Sequence, residues 1–363
     1  MRKQLTFAAV LILLVAQAAI VGSAVETEDS HIITGVPYHP MLDGFCAMTT
    51  MWMNLEYYGV SSETASLLNL GWSHGFFYWV TPQRTWAYPN TGPVEEIIYA
   101  AEVLGFEAKE FKHESLDEAK KTIVKYVSKD IPVVVQSIGH TVLAYGYEKG
   151  GDVIIYHDPH DPTSAVTKDT SRPGSEYTHA AQRADIKRWE EPPFNWGVFG
   201  YHCVVLTPNE KETKIDWKQI WRRSAGKTLG TVKNPYPAKY GAEGIQALIE
   251  DMKKKEFKDE EEKVKYLLGF EGTFFLGTGF RREAAAFLAG QASAMESDAL
   301  LKASNAFRQS SHLFRAGYNL VLLLKKDSSK AEIVKKGFLD LLAKITIFEE
   351  RGADALLEAA NAK

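Results

Sequence analysis

Three side chains in the first half of the sequence have the types and the order that nucleophilic chemistry needs: Cys46, His140 and Asp158. A cysteine attacks as its thiolate, and a helix N-terminus or a nearby imidazolium favours that anion. His140 opens a predicted strand after a glycine, and Asp158 ends another in Tyr-His-Asp-Pro. A carboxylate there would accept the second ring N–H of His140 and orient the imidazole. The pattern predicts acyl transfer through a Cys46–His140–Asp158 triad.

The residues leave two other roles open for Cys46. The chain has 2 cysteines, and exported domains often pair their cysteines, so a Cys46–Cys203 disulfide is one alternative. A buried structural thiol is the other. Cys203 precedes Val204 and Val205 in an apolar run, which favours a core residue or a disulfide partner.

The elements that must position these residues follow from hydrophobic periodicity. Apolar residues recur at helical spacing after Cys46 and end at Gly59, which predicts a helix that begins at the cysteine. A second helix is predicted over 94–104 and a third from Ser115, which forms a capping box with Glu118. Strands are predicted at 131–138, 141–147, 152–158 and 201–208, and a short helix ending near Trp189.

Helices followed by a meandering antiparallel sheet predict an α+β domain over 31–208. Residues 209–240 are predicted as a linker, and 241–363 as an all-α C-terminal domain in which the Gly-rich run 268–280 is a loop. The charged run 251–265 is interpreted as a solvated helix face.

Residues 1–24 have the pattern of a secretory signal: Arg2 and Lys3, an apolar run from Leu5, then small residues up to Ala24. The alternative is an uncleaved anchor, because the run is close to the shortest stretch that spans a bilayer. We therefore expect a secreted or extracytoplasmic protein with no membrane contact after signal cleavage.

Composition excludes one large class of partners and leaves others open. The formal net charge of -4 has no basic excess, so neither a nucleic acid nor an anionic membrane is an expected partner. No cofactor is predicted, and the oligomeric state stays open. His157, Asp158, His160 and Asp161 crowd together like metal ligands, but neighbours on a strand end point to opposite sides, so no metal site is predicted.

The motifs around the three residues resemble a known family. VPYHPMLDGFCAMTTMWMNLEYYGV, a Pro-Val-Val-Val strand with Gly-His, and a strand ending in Asp-Pro are similar to the papain-like fold of the bacteriocin-leader (double-glycine) peptidases. LGWSHGFFYW, FRREAAAFL and ITIFEERGADALL resemble the butirosin biosynthesis protein H family. The resemblance implies a papain-like fold, and it places the catalytic Cys, His and Asp at Cys46, His140 and Asp158.

One family feature is missing. The leader peptidases place a Gln a few residues before the Cys, where its amide helps to bind the oxyanion, and residues 37–45 contain no Gln. The backbone N–H of Cys46 would supply one donor, and His39 or another backbone group a second. Trp72, Phe77 and Tyr78 are predicted, with His39, to contact the substrate; core packing is the alternative for the aromatic residues.

These observations predict an exported thiol-dependent hydrolase of peptide or amide bonds. The butirosin family implies acyl transfer from a carrier protein instead, which export argues against because such donors are cytoplasmic. Another alternative is a non-catalytic binding protein that retains the fold; the missing Gln and a Cys46–Cys203 disulfide would both fit it. Arg281, Arg282, Glu349 and Glu350 are interpreted as interhelical ion pairs, with a substrate carboxylate as the alternative partner of either arginine.

Overall fold

The computed structural model describes most of the chain after the predicted signal. The described residues are 29–40, 46–61, 75–80, 85–89, 93–137, 140–160, 166–167, 178–179, 182–191, 196–197, 200–209, 215–232 and 238–362. The predicted signal at 1–24 and the predicted substrate residue Trp72 lie outside them.

Helices and strands alternate in the N-terminal part, and long helices follow. The strands are β1 (His31–Ile32), β2 (Phe77–Val80), β3 (Thr85–Tyr88), β4 (Phe106–His113), β5 (Val133–Ser137), β6 (His140–Glu148), β7 (Val153–His157), β8 (Val166–Thr167), β9 (Thr178–His179), β10 (Gln182–Asp185), β11 (Tyr201–Pro208) and β12 (Lys239–Tyr240). The helices are α1 (Cys46–Tyr57), α2 (Pro93–Val103), α3 (Leu116–Val127), α4 (Trp217–Leu229), α5 (Gly241–Lys254), α6 (Glu260–Leu268), α7 (Glu271–Ala294), α8 (Asp298–Lys326) and α9 (Ala331–Asn361). Single 3-10 turns lie at Lys149–Gly151, Ile186–Glu190 and Ser328–Lys330.

An antiparallel sheet forms the centre of the N-terminal part. Among the described residues it has 7 strands in the order β10-β7-β6-β5-β11-β4, with β1 also paired to β6. Its middle strands are apolar and fully buried, for example Val133, Val134 and Val135 on β5, as expected for strands covered on both faces. The combination of helices with an antiparallel sheet confirms the α+β class, and the four predicted strands are all present.

Two parts of this sheet differ from the prediction. Strand β11 lies between β5 and β4, so the sheet is not a simple meander, and β4 itself was not predicted. β4 is an edge strand in which charged residues outnumber apolar ones, and edge strands commonly carry such charges. The short helix predicted before Trp189 is instead strand β10 followed by a 3-10 turn, because Gln182–Asp185 pair with β7.

The helix predicted at the cysteine is confirmed, with Cys46 as its first residue. Its apolar side chains, among them Met51, Met53 and Leu55, are buried in the core next to the sheet. Gly59 follows with a φ of 86°, a left-handed conformation that glycine adopts without strain. This packing holds the first turn of α1 near the beginning of β6.

The aromatic segment after α1 forms a hairpin that packs with the C-terminal helices. Strands β2 and β3 pair with each other, and β2 also pairs with β12. The hydroxyl of Tyr78 donates to Asp251 Oδ2 on α5 at 2.6 Å. Phe76, Tyr78 and Ala87 share a hydrophobic core with residues of the helical part. The hairpin precedes residue 208 in sequence, yet its packing is with the helices after residue 240.

The helical part begins earlier and is more continuous than predicted. Helix α4 lies inside 209–240, the predicted linker. The prediction of a loop over the Gly-rich run 268–280 is wrong. Helix α6 ends at Leu268 and helix α7 begins at Glu271, so most of the run is helical. A side chain at Gly277 would overlap the ring of Phe314 on α8, so this glycine serves close helix packing rather than a turn. No helix in the described part of the chain has both the length and the apolar character to cross a bilayer.

A buried arginine joins the hairpin to the helices. Arg281 on α7 is 0% exposed, and its Nε donates to Glu349 Oε1 on α9 at 2.7 Å. Its other guanidinium nitrogens donate to the carbonyls of Pro89 at 2.9 Å and Gly75 at 2.6 Å. The interhelical pair predicted for Arg281 and Glu349 is present, whereas the exposed Arg282 pairs with its neighbour Glu283.

Candidate active site

Cys46 occupies the N-terminal end of α1, where the first backbone N–H groups of a helix lack intrahelical partners and the helix dipole is positive. Its side chain is partly exposed, and neither Cys46 nor Cys203 is in a disulfide. Cys203 is fully buried on β11, and burial raises the pKa of its thiol well above the usual range. The predicted disulfide alternative therefore does not fit this structure, and Cys46 is the thiol with access to solvent.

His140 and Asp158 meet at one end of the sheet. His140 is the first residue of β6, and Asp158 follows the last residue of β7. Because β6 and β7 are antiparallel neighbours, these two ends lie side by side. His140 Nε2 donates to Asp158 Oδ1 at 2.8 Å, and the two side chains are 20% and 23% exposed.

The environment of His140 favours its protonated form. Burial lowers the pKa of the imidazole, but hydrogen bonds to Asp158 and Cys46, with the charges of both groups, outweigh it and raise the pKa to about 10. Since Nε2 is bonded to Asp158, Nδ1 is the ring atom available to the thiol. The structure thus brings Cys46, His140 and Asp158 together in the predicted order.

Asp158 is held by contacts on each of its polar groups. Its Oδ1 accepts a second hydrogen bond from the backbone N–H of His160 at 2.8 Å. Its own backbone N–H donates to Gln182 Oε1 at 2.8 Å, and its carbonyl accepts from the Tyr38 hydroxyl at 3.4 Å. These bonds orient the carboxylate toward the imidazole.

A buried polar network ties α1 to the beginning of β6. Thr50 lies one helical turn after Cys46, and its hydroxyl donates to the carbonyl of Thr141 at 3.0 Å. The Thr141 hydroxyl donates to Gln136 Oε1, and Gln136 Nε2 donates to the Ser137 carbonyl at 2.6 Å. The Ser137 hydroxyl in turn donates to the His140 carbonyl at 3.2 Å. The network fixes the helix and the strand that carry the thiol and the imidazole.

The other predicted site residues have different partners. His39 Nε2 is bonded to Glu56 Oε2 at 2.5 Å, and its ring stacks on Trp52 with centroids 3.9 Å apart. Glu56 lies in the last turn of α1, about 15 Å along the helix axis from Cys46 at 1.5 Å per residue. Tyr78 is buried against α5, and the ring of Phe77 lies 5.8 Å from that of Tyr240.

The crowded histidines at the end of β7, His157 and His160, have separate environments. His157 is 1% exposed and bonded to the Val36 carbonyl at 3.2 Å, with Tyr145 against its ring. His160 is exposed, with its ring 6.0 Å from that of His140 in a perpendicular arrangement. In the described residues no group of three or more His, Cys, Asp and Glu side chains is arranged to hold a metal ion.

Several side chains that support the site were not predicted. Thr50 had a usable signal, since a polar residue four positions after Cys46 shares its helix face. Gln136 and Gln182 had no such signal in the sequence, because the side chain of each bonds to a neighbouring strand whose pairing the sequence does not reveal. The sequence places Gln182 in the short helix predicted to end near Trp189, so its contact with Asp158 is not expected from the sequence.

Comparison with known proteins relates the N-terminal part to cysteine peptidases. Residues 33–191 match the model of the Peptidase_C39 like family. The matched segment contains Cys46, His140 and Asp158, and it ends before the helical part. No curated protein matches the chain. The match supports a papain-like, C39 peptidase-like relationship for the N-terminal part, while the resemblance to the butirosin biosynthesis protein H family stays a prediction.

Proposed function

We propose that this protein is a thiol-dependent hydrolase of peptide or amide bonds, with Cys46 as nucleophile, His140 as acid and base, and Asp158 as the residue that orients His140. The observation that carries the proposal is the 2.8 Å bond from His140 Nε2 to Asp158, made by a ring that also interacts with Cys46. A papain-like fold for the N-terminal part belongs to the same proposal, and the match to a peptidase family supports it.

The resting site would place a protonated imidazole beside the thiol. A pKa of about 10 keeps His140 protonated near neutral pH, and a cation next to a thiol favours the thiolate. The positive end of α1 acts in the same direction. Cys46 is then a nucleophile before substrate arrives, and His140 already holds the proton that the leaving amine requires.

The reaction would proceed in two balanced steps. In the first, Cys46 Sγ forms a bond to the substrate carbonyl carbon, the carbon–nitrogen bond breaks, and the amine leaves with the proton from His140 Nδ1. In the second, neutral His140 takes a proton from water, the hydroxide attacks the thioester, and the carboxylic acid leaves as the thiolate returns. Asp158 keeps the ring oriented and stabilises its positive charge in both steps.

The negative oxygen formed during attack needs hydrogen-bond donors. We assign one to the backbone N–H of Cys46, at the first turn of α1. The His39 side chain is bonded to Glu56 and stacked on Trp52, so this proposal gives it no role as the second donor. Phe77 and Tyr78 likewise belong in this proposal to the junction with the helices rather than to substrate contact.

Water is the acyl acceptor that we propose, because the matched family is one of peptidases. Acyl transfer to an amine would use the same first step with a different acceptor. The sequence of residues 1–24 supports an extracytoplasmic location, where peptides are available and acyl carrier proteins are not.

The proposal is tested by thiol labelling and by peptide cleavage. Iodoacetamide near neutral pH should alkylate Cys46 faster than Cys203, because Cys203 is 0% exposed and acts as an internal control. His140→Ala should slow the labelling of Cys46 by roughly tenfold near pH 7, because a cysteine without a neighbouring cation is only a few per cent thiolate there. The labelled peptides are followed by mass spectrometry.

Cleavage is measured on a mixture of synthetic peptides, with new termini identified by mass spectrometry. The wild type should generate termini that Cys46→Ala does not generate, while Cys203→Ala should cleave like the wild type. Equal labelling of Cys46 with and without His140, together with no cleavage by the wild type, would contradict the proposal and favour a non-catalytic binding protein.

A further inference from the structure

Asp158 lies just beyond the hydrogen-bonded ladder of the sheet. Among the described residues, the last register pair between β10 and β7 is Gln182 with Tyr156, and on the other side of β7 the last pair is His157 with Leu143. A residue past the end of a ladder has no strand partner for its backbone groups, and an unpaired N–H in a partly buried place is costly. The N–H of Asp158 therefore needs an acceptor from another source.

The side chain of Gln182 provides that acceptor. Its Oε1 lies 2.8 Å from the backbone nitrogen of Asp158, so a side-chain amide accepts this N–H just beyond the pairs that the described residues form. The backbone N–H of His160 donates to Oδ1 of Asp158, which closes a turn from Asp158 to His160. The same Oδ1 accepts from His140, so the position of the turn decides the geometry of the carboxylate–imidazole bond.

We propose that Gln182 is a positioning residue for the reaction: through the Asp158 N–H it fixes the turn that directs the Asp158 carboxylate at His140. This inference rests on the proposed function, because it concerns the same three residues. Gln182 makes no contact with the thiol or the substrate in this proposal. Its effect reaches them through the strength and direction of one hydrogen bond to His140.

The physical consequence of losing Gln182 is specific. Without the acceptor, the Asp158 N–H turns toward water, and the carboxylate leaves its position against the imidazole for part of the time. Because the bond to Asp158 is one of the interactions that raise the pKa of His140, the imidazole would then titrate at lower pH. A purely structural role for Gln182 would lower thermal stability and leave that titration where it is.

Three variants separate these outcomes. Gln182→Met keeps the length of the side chain and removes the acceptor, and Gln182→Asn keeps an amide that is too short to reach. Gln182→Glu retains an oxygen at the same position and should preserve the bond. Arg183→Met is the matched control, because Arg183 is the next residue on β10, is exposed, and bonds to Glu148 rather than to Asp158.

The measurements are the titration of His140, followed by NMR of isotope-labelled imidazole, and the pH dependence of iodoacetamide labelling of Cys46. Gln182→Met and Gln182→Asn should both move the titration of His140 downward and slow labelling by about tenfold, the equilibrium effect of a typical hydrogen bond. Arg183→Met should keep the wild-type profile, and Gln182→Glu should not move the titration downward, because it keeps the acceptor and its added negative charge favours the protonated imidazole. If Gln182→Met does not fold, Gln182→Asn on this edge strand decides the matter alone.

An unchanged titration in Gln182→Asn overturns the role of Gln182. This result differs from a failure of the proposed function, which would appear as labelling of Cys46 that does not depend on His140. If His140→Ala slows labelling and Gln182→Asn leaves the profile unchanged, the triad stands without Gln182.

Discussion

At the scale of single residues, the imidazole of His140 connects the two other candidate groups. Its Nε2 is hydrogen-bonded to Asp158. The pKa of the imidazole is about 10, well above the ordinary 6.5 of a histidine. Two neighbouring groups that can carry negative charge, Cys46 and Asp158, overcome the opposing effect of burial. An imidazole in this state is suited to act first as a proton donor.

Asp158→Asn tests the contribution of the carboxylate. The amide keeps the shape of the side chain and removes its charge, so the pKa of His140 should fall and the imidazole should lose its proton at lower pH than in the wild type. Labelling of Cys46 near neutral pH should then slow, because a neutral imidazole no longer favours the thiolate. The measurement is NMR titration of the imidazole beside the labelling profile. The prediction is wrong if both profiles match those of the wild type.

The same substitution should change how stability depends on pH. Because folded His140 has a pKa of about 10 and an unfolded histidine about 6.5, the folded state holds a proton that the unfolded state loses between these values. The resulting stability is fully present below pH 6.5 and is lost as the pH rises through about 10. The difference in unfolding free energy between wild type and Asp158→Asn should therefore shrink from neutral pH toward pH 10, as measured by urea denaturation.

At the scale of the elements, the position of Cys46 relative to His140 depends on how α1 sits on β6. Thr50 on α1 and Thr141 on β6 are both 0% exposed, and each is adjacent to a candidate group: one helical turn after Cys46 and one residue after His140. The hydrogen bond from the Thr50 hydroxyl to the Thr141 carbonyl fixes the position of the thiol relative to the imidazole. Such positioning matters because catalytic geometry tolerates only small errors.

Thr50→Val should loosen this junction without changing the size of the side chain. The lost hydrogen bond to the Thr141 carbonyl should cost about 1 kcal/mol, with a larger cost if the carbonyl stays unsatisfied. Labelling of Cys46 should slow by about tenfold because the thiol and imidazole no longer keep a fixed separation. Thr50→Ser keeps the hydroxyl and serves as the control. A Thr50→Val protein with wild-type labelling would show that the bond does not position the pair.

The elements around the site were predictable to different degrees, for physical reasons. The periodicity after Cys46 and the capping box at Ser115 act locally, so α1 and the beginning of α3 were expected. Strand β4 depends on pairing with β11, about a hundred residues later in the chain, and its charges hide its pattern. The glycines of α7 have the composition of a loop, but Gly277 is required by the ring of Phe314 on another helix, a contact that no local pattern reveals.

The candidate residues themselves were predictable because Cys46, His140 and Asp158 each stand at the end of an apolar element that the sequence marks. The partners of Asp158 were not, since Gln182 and the His160 N–H reach it only once β7 and β10 are paired. His39 is close to Cys46 in sequence, and its side chain is stacked on Trp52 and bonded to the carboxylate of Glu56, which local sequence does not predict.

At the scale of the whole molecule, the N-terminal sheet and the C-terminal helices share structure. Phe280 on α7 belongs to the core of the sheet, and the β2–β3 hairpin belongs to the core of the helices. Arg281 connects both, since its guanidinium bonds to Glu349 and to two carbonyls at the ends of the hairpin. The boundary predicted near residue 208 therefore separates two stretches of sequence that are packed together.

Arg281→Met should be strongly destabilising. It leaves the carboxylate of Glu349, 1% exposed, without its cation, and breaking one partner of a buried pair costs about 3–5 kcal/mol. Arg281→Met with Glu349→Leu should recover part of that loss, because no buried charge remains. Arg282→Met, the exposed neighbour, should stay within about 0.5 kcal/mol. Urea unfolding measures all three, and an Arg281→Met midpoint equal to that of Arg282→Met would contradict the prediction.

The bond between Arg281 and the Gly75 carbonyl also has a consequence for biosynthesis. The two residues are 206 positions apart, so at roughly 5–20 residues per second a ribosome adds Arg281 about 10–40 s after Gly75. During that interval the aromatic hairpin has neither its cation nor the helices that cover it. The nascent chain would expose Phe76 and Tyr78, both buried in the finished protein, and a chaperone that binds apolar segments would find them before the rest of the chain arrives.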